Sequence, residues 1–129
     1  GNDLDTYPGD LWHYARNRVV IAARAAGIDA LDGPYLDFKN LDGYRRECIR
    51  AKALGMAGKW AIHPGQIDIA NEVFSPTVEE VARARQIDAL YREAQASGQG
   101  AVANEGRLID VAVVRSARNI IQKAEAIGM

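Results

Sequence analysis

The chain has 129 residues, 48% apolar and 26% charged, with 16 Lys and Arg against 17 Asp and Glu for a net charge of −1. That length can build one core burying about two-thirds of the unfolded surface, while the charge balance leaves no electrostatic footprint for nucleic acid or an anionic membrane. No run approaches the roughly 18 apolar residues of a membrane span and no charged-then-apolar signal opens the chain; with Cys48 as its single cysteine, a reducing, cytoplasmic setting is the expectation.

Residues 10–26, DLWHYARNRVVIAARAA, place Leu11, Ala15, Val19, Ala22 and Ala26 on one helical face, and Gly27 stands where a left-handed C-cap is expected. IDALDGP then reads as a short strand through Ile28, Ala30 and Leu31, stopped by Asp32-Gly33-Pro34. Helical spacing returns over 41–54 through Leu41, Tyr44, Cys48, Ala51 and Leu54, with Gly55 after it. AGKWAIHP is a second strand, stopped by Pro64-Gly65, and a short helix over 66–73 leads to SPT. Helices of this length between short strands call for parallel strands joined by crossovers, hence an α/β sheet or barrel.

From Ser75 the character changes. SPTVEE offers Ser75 as N-cap with Pro76 after it, or Thr77 and Glu80 as a capping box. The helix that follows turns Val81, Ala84, Ile87, Tyr91 and Ala94 inward. ASGQGAVANEGRLID reads as a long loop of the kind that is functional or disordered, and a last helix over 111–127 carries Val114, Ala117, Ile120, Ala124 and Ile127 on one side.

Parallel α/β architectures gather ligands at the carboxyl ends of their strands. Both strands here end in polar or special residues, Asp32-Gly33-Pro34-Tyr35 and His63-Pro64-Gly65-Gln66. Asp32 is a turn carboxylate bonding its own backbone or a rim residue of a pocket, and His63 bonds a neighbouring carbonyl or meets a ligand. His13, beside Trp12 and Tyr14, has a packing role. Asp110, directly before an apolar-periodic segment, is an N-cap or a carboxyl delivered by a mobile lid. Asp3, Asp5 and Asp10 hint at a magnesium site but read better as solvated loop residues. Gly106 and Arg107 could meet a phosphate, yet lack a Gly-rich cradle, and the histidines lack zinc spacing.

Three stretches, YPGDLWHYARNRVVIAARAAGIDALDGPYLDF, ALGMAGKWAIHPGQIDIANEVFSPTVEEVARA and GRLID, closely resemble in order and spacing the citrate lyase β-subunit-like family. These are CoA-ester lyases of the HpcH/HpaI aldolase superfamily, which includes the malyl-CoA and citramalyl-CoA lyases. The resemblance implies the C-terminal part of a (β/α)8 TIM barrel over 1–75, with IDALDGP and GKWAIHP as its last two strands, and a C-terminal helical lid and oligomerisation extension over 76–129.

It also implies aldol-type cleavage or condensation of a 3-hydroxyacyl-CoA such as citryl-CoA, malyl-CoA or citramalyl-CoA, giving acetyl-CoA or propionyl-CoA and an α-keto acid, with Mg2+ as Lewis acid. By the resemblance Ile62, His63 and Pro64 lie beside the coenzyme A, Asp32, Gly33 and Pro34 form the substrate-pocket rim, and Asp110 is the catalytic acid/base of the lid. The lid is expected to reach a neighbouring subunit of a homotrimer or hexamer. The metal ligands, a Glu and an Asp, are expected upstream of this chain. Two alternatives stand beside this reading: a non-catalytic, self-associating or partner-binding piece, and a malyl-CoA thioesterase or malate-synthase-like activity.

Overall fold

A computed structural model describes residues 9–98, 102–104 and 107–129. The chain divides into two units, one ending at Phe74 and the other beginning at Ser75.

The first unit is an α/β unit built on two parallel strands. Helix α1 (His13–Ala26) is followed by β1 (Leu31–Asp32), α2 (Leu41–Leu54) and β2 (Gly58–Lys59). β1 and β2 pair in parallel with Leu31 opposite Gly58 and Asp32 opposite Lys59. Hydrogen bonds from Ala57 N–H to the Ala30 carbonyl at 2.8 Å and from Trp60 N–H to the Asp32 carbonyl at 3.1 Å extend the ladder on each side. The strands are shorter than the sequence suggests, and Ile28 lies outside the pairing, exposed.

Both long helices stop at glycine. Gly27 (φ 68°) and Gly55 (φ 99°) take the left-handed conformation that other residues adopt only with strain, and their N–H groups cap the last carbonyls. α2 opens on Asn40, whose side chain accepts from Gly43 N–H at 2.9 Å. As expected, α2 buries Tyr44, Cys48 and Ala51.

α1 departs from its expected face. Leu11, Ala15, Val19, Ala22 and Ala26 are exposed, and the buried residues are Val20 and Ala23, packed with Ala30, Ala51 and Met56. Arg16, Val20 and Ala23 share one stripe at i, i+4, i+7 spacing, and the salt bridges of Arg16 to Asp10 and Asp32 turn that stripe inward. His13 is exposed along with Trp12 and Tyr14, so it does not pack. After β2 a 3₁₀ turn, Pro64–Gln66, runs directly into α3 (Ile67–Phe74), so Pro64 starts regular structure and does not end the strand, which stops at Lys59.

The second unit is a helical hairpin with a small antiparallel sheet. α4 (Val78–Ala96) starts at Thr77, where a capping box selects between the two expected starts: Thr77 Oγ1 accepts from Glu80 N–H at 3.1 Å, and Thr77 N–H donates to Glu80 Oε2 at 2.9 Å. It buries Val81, Ala84, Asp88, Tyr91 and Ala94. The segment read as a loop instead contains β3 (Val102–Asn104) and β4 (Arg107–Ile109), paired antiparallel with Val102 opposite Ile109 and Asn104 opposite Arg107. Two residues separate the strands in sequence, a hairpin spacing that the surrounding Gly and Ala obscured. α5 (Val111–Ala126) buries Val114, Ala117 and Ala124, while Ile127 is exposed beyond its end. Tyr91, Ile109 and Val114 form the core. Among the described residues no helix is long and apolar enough to cross a membrane.

Candidate functional site

The carboxyl ends of β1 and β2 hold a network of six charged side chains. Lys59 points from β2 into the unit, its side chain 1% exposed. Its ammonium donates to Asp32 Oδ2 at 2.7 Å and to the Gly33 carbonyl at 2.8 Å, and lies 2.8 Å from Glu47 Oε2. Those three acceptors satisfy all three of its donors. Arg16 Nε reaches Asp32 Oδ1 at 3.2 Å. Asp10 receives Arg16 at 3.2 Å and Arg50 at 3.1 Å, and Arg50 also pairs with Glu47 at 3.1 Å. Three cations meet three anions, which is how buried charge is tolerated in a low-dielectric interior.

Asp32, expected at a pocket rim or in a turn, is 4% exposed with both oxygens engaged by cations. Burial by itself would raise its carboxyl, but the hydrogen bond and charge of Lys59, with Arg16, outweigh it and hold the group below its ordinary value. Asp32 and Gly33 line a cleft of about 310 Å³ with Trp12, Arg16, Leu31 and Met56; exposed Pro34 does not line it. Asp10 is likewise a half-buried ion-pair partner that also accepts from Trp12 N–H at 3.0 Å, which corrects its reading as a solvated loop residue. Asp3, Asp5 and Gly106 lie outside the described residues.

At the end of β2, His63 is exposed. Its ring stacks on Phe38 at 5.0 Å between centroids, and its Nδ1 accepts from Gly65 N–H at 3.1 Å. That bond caps the 3₁₀ turn. Ile62 N–H donates to Gln66 Oε1 at 2.8 Å, and Gln66 Nε2 donates to the Tyr35 carbonyl at 3.2 Å. Gln66 is wholly buried, so one amide side chain joins the chain after β1 to the chain after β2. Beneath them Tyr44 donates to the Trp60 carbonyl at 3.3 Å; its burial first, then its contacts with Cys48 and Asp32, push its phenol up to about 12. Burial also raises the Cys48 thiol, so it is no activated nucleophile.

Asp110 ends β4 and caps α5, accepting from Ala112 N–H at 2.9 Å and Val113 N–H at 3.0 Å through one oxygen, Oδ1. The second oxygen makes no bond among the described residues, so the cap and a chemical role are compatible in one carboxylate. No group of three or more His, Cys, Asp or Glu side chains among the described residues is placed to hold a metal ion.

The sequence pattern marks Gln66 only as one of the residues ending the second strand, and it does not single out Lys59, Glu47, Arg16 or Arg50. Lys59 sat inside an apparent apolar strand, and a lysine flanked by Gly58 and Trp60 in a buried strand was the one available signal.

The geometry defines an α/β unit with its polar and ligand-accessible groups at the carboxyl ends of parallel strands. Residues 2–64 match the family described as HpcH/HpaI aldolase/citrate lyase. The chain is 47% identical over 116 residues, 90% of its length, to an L-malyl-CoA/beta-methylmalyl-CoA lyase of Rhodobacter capsulatus, and 40% identical over 114 residues, 88% of its length, to a mitochondrial citramalyl-CoA lyase of Rattus norvegicus. It spans 36% of the first relative and 34% of the second. A solved structure of the protein CitE from Mycobacterium tuberculosis, in complex with magnesium, acetoacetate and coenzyme A, superposes with a TM-score of 0.75 at 32% identity, covering 94% of this chain and 44% of that one. The resemblance to the HpcH/HpaI aldolase/citrate lyase family therefore rests on a direct match over residues 2–64 and on similarity to CoA-ester lyases along most of the chain.

Proposed function

We propose that the protein carrying this chain is a CoA-ester carbon–carbon lyase, cleaving a 3-hydroxyacyl-CoA of the malyl-CoA, citramalyl-CoA or citryl-CoA class into an acyl-CoA and an α-keto acid, or running the reverse condensation. The observation that carries this reading is 47% identity to an L-malyl-CoA/beta-methylmalyl-CoA lyase across 90% of the chain. In this reading residues 1–75 are the last part of a (β/α)8 barrel and 76–129 a lid that serves a neighbouring subunit of a homo-oligomer. Ile62, His63 and Pro64 flank the coenzyme A, a role supported by their exposure at the end of β2.

Asp110 is the acid/base group for the proton at the enolate carbon, a role compatible with its second oxygen, which makes no bond among the described residues. Magnesium belongs to this reading as the Lewis acid on the keto-acid oxygens. The carboxylates at the strand ends do not fit it: Asp10, Asp32 and Glu47 are each neutralised by guanidinium or ammonium groups, so its ligands are assigned outside the described residues. The test is to incubate the protein with malyl-, citramalyl- and citryl-CoA, each with and without magnesium, and to follow free keto acid. Metal-dependent release of keto acid from one ester supports the assignment; release of free coenzyme A with the hydroxy acid intact would move it to a thioesterase.

A second reading attaches to residues 1–74 taken alone. Leu31 is 56% and Trp60 59% exposed beside a sheet of only two strands, and open edges with apolar side chains invite pairing with further strands. Sedimentation of the isolated 129-residue chain tests it, with self-association expected.

A further inference from the structure

We infer that Gln66 is a positioning residue that fixes the backbone of Ile62–Pro64 against the chain following β1, and so sets affinity for the ligand at the end of β2; this rests on the coenzyme A reading above. Gln66 is wholly buried and spends both ends of its amide on main-chain groups of different segments, Oε1 on Ile62 N–H at 2.8 Å and Nε2 on the Tyr35 carbonyl at 3.2 Å. Neither main-chain group is part of a helix or strand ladder, so the side chain supplies bonds that secondary structure does not.

The chain from Gly33 to Tyr35 is thereby held at both ends by the second strand–helix unit: Lys59 grips the Gly33 carbonyl at 2.8 Å and Gln66 the Tyr35 carbonyl. Pro34, between them, has a fixed φ and no N–H to add. The two grips are not equivalent. Lys59 also neutralises Asp32 and Glu47, so removing it disturbs the interior charge, whereas Gln66 carries no charge and acts only on the two loops. Its own position is set by the 3₁₀ turn it closes, through Gln66 N–H to the His63 carbonyl at 2.9 Å. The same turn therefore presents His63 outward and Gln66 inward. A loop held this way costs less ordering when a ligand binds it, which appears in binding rather than in the chemical step.

The experiment compares the protein with its Gln66→Met and Gln66→Glu variants, using the CoA thioester that the unsubstituted protein turns over, together with amide hydrogen exchange. Gln66→Met keeps the volume and loses both bonds; Gln66→Glu keeps an acceptor for Ile62 N–H and, ionised, has no donor for Tyr35. The expected result is a KM for the CoA thioester raised by about tenfold in both variants, as the loss of one buried hydrogen-bonded bridge predicts, with kcat within about threefold. Exchange at the Ile62 amide should accelerate in Gln66→Met and stay slow in Gln66→Glu. An unchanged KM in both variants overturns the inference, as does a fall in kcat at constant KM, which would mark Gln66 as packing alone. Failure of the unsubstituted protein to use any CoA thioester would overturn the proposed function instead; the exchange rates at Ile62 would then still decide whether Gln66 holds the loop, equal rates in all three proteins refuting it.

Discussion

Both units bury an apolar cluster, but the first adds to it an interior polar network that the second has little of. Residues 9–74 place Lys59, Asp32 and Gln66 in their interior while leaving Leu31, Trp60 and Ile62 exposed. Residues 75–129 bury Val81, Ala84, Tyr91, Val114 and Ala117 between two helices, with Asp88, held by Arg118 at 2.7 Å and Arg92 at 2.7 Å, as their one buried charge among the described residues. A helical hairpin gains from apolar burial roughly in proportion to area, and its stability needs no particular side-chain direction. The strand unit uses polar groups to aim backbone carbonyls and N–H groups, at a desolvation cost that a simple core would avoid. A region that accepts that cost beside the carboxyl ends of its strands is organised around position rather than stability.

That contrast can be broken or sharpened by four substitutions, read unit by unit through hydrogen exchange. The largest effect is expected from Lys59→Met, which removes the cation shared by Asp32 and Glu47 and leaves each with a single guanidinium, Arg16 and Arg50. The first unit should lose about 3–5 kcal/mol, the usual cost of removing one partner of a buried ion pair, and the second should not respond. A loss under about 1 kcal/mol would mean the network is solvated and the contrast false. Next is Asp110→Asn. Asparagine caps as well as aspartate, so α5 should keep its stability, while turnover of the CoA thioester should fall by about a hundredfold or more if the carboxyl transfers a proton. Intact turnover would leave Asp110 as a cap alone.

Thr77→Ala removes one half of the capping box and should cost the second unit about 1 kcal/mol, read as faster exchange in the first turn of α4 with no change around β1 and β2. The smallest effect at neutral pH is expected from Tyr44→Phe, about 0.5 kcal/mol for one long hydrogen bond to the Trp60 carbonyl. Its consequence appears in alkali. Because Tyr44 ionises at about 12 in the folded state against an ordinary 10, its contribution is complete below pH 10 and is lost as pH rises from 10 through 12. The variant should unfold less steeply across that window, and an unaltered slope would show the phenol to be solvated.

The second unit was legible at nearly every buried position, because a 3.6-residue period in Val81, Ala84, Tyr91 and Ala94 needs only the helix itself to become a face. What was missed there was β3–β4, where three-residue strands are too short to carry a period. In the first unit the glycine caps and the inward Tyr44, Cys48 and Ala51 were readable for the same local reason. The face of α1 was not, since five aliphatic residues pointed one way and one arginine, seeking Asp10 and Asp32, decided the other.

The sequence by itself determined the five helices among the described residues, the glycines that end α1 and α2 and the family resemblance, because these depend on local conformation and on residues close in the chain. Only the tertiary structure decided that Asp32 is a buried partner of Lys59, that Glu47 and Arg50 belong to the same network, and that Gln66 bonds Tyr35, 31 residues before it, as well as Ile62. A charged or amide side chain takes its meaning from the group it meets in space, and Coulomb and hydrogen-bond energies depend on that distance and on the burial around it, neither of which is written in the spacing of residues along the chain.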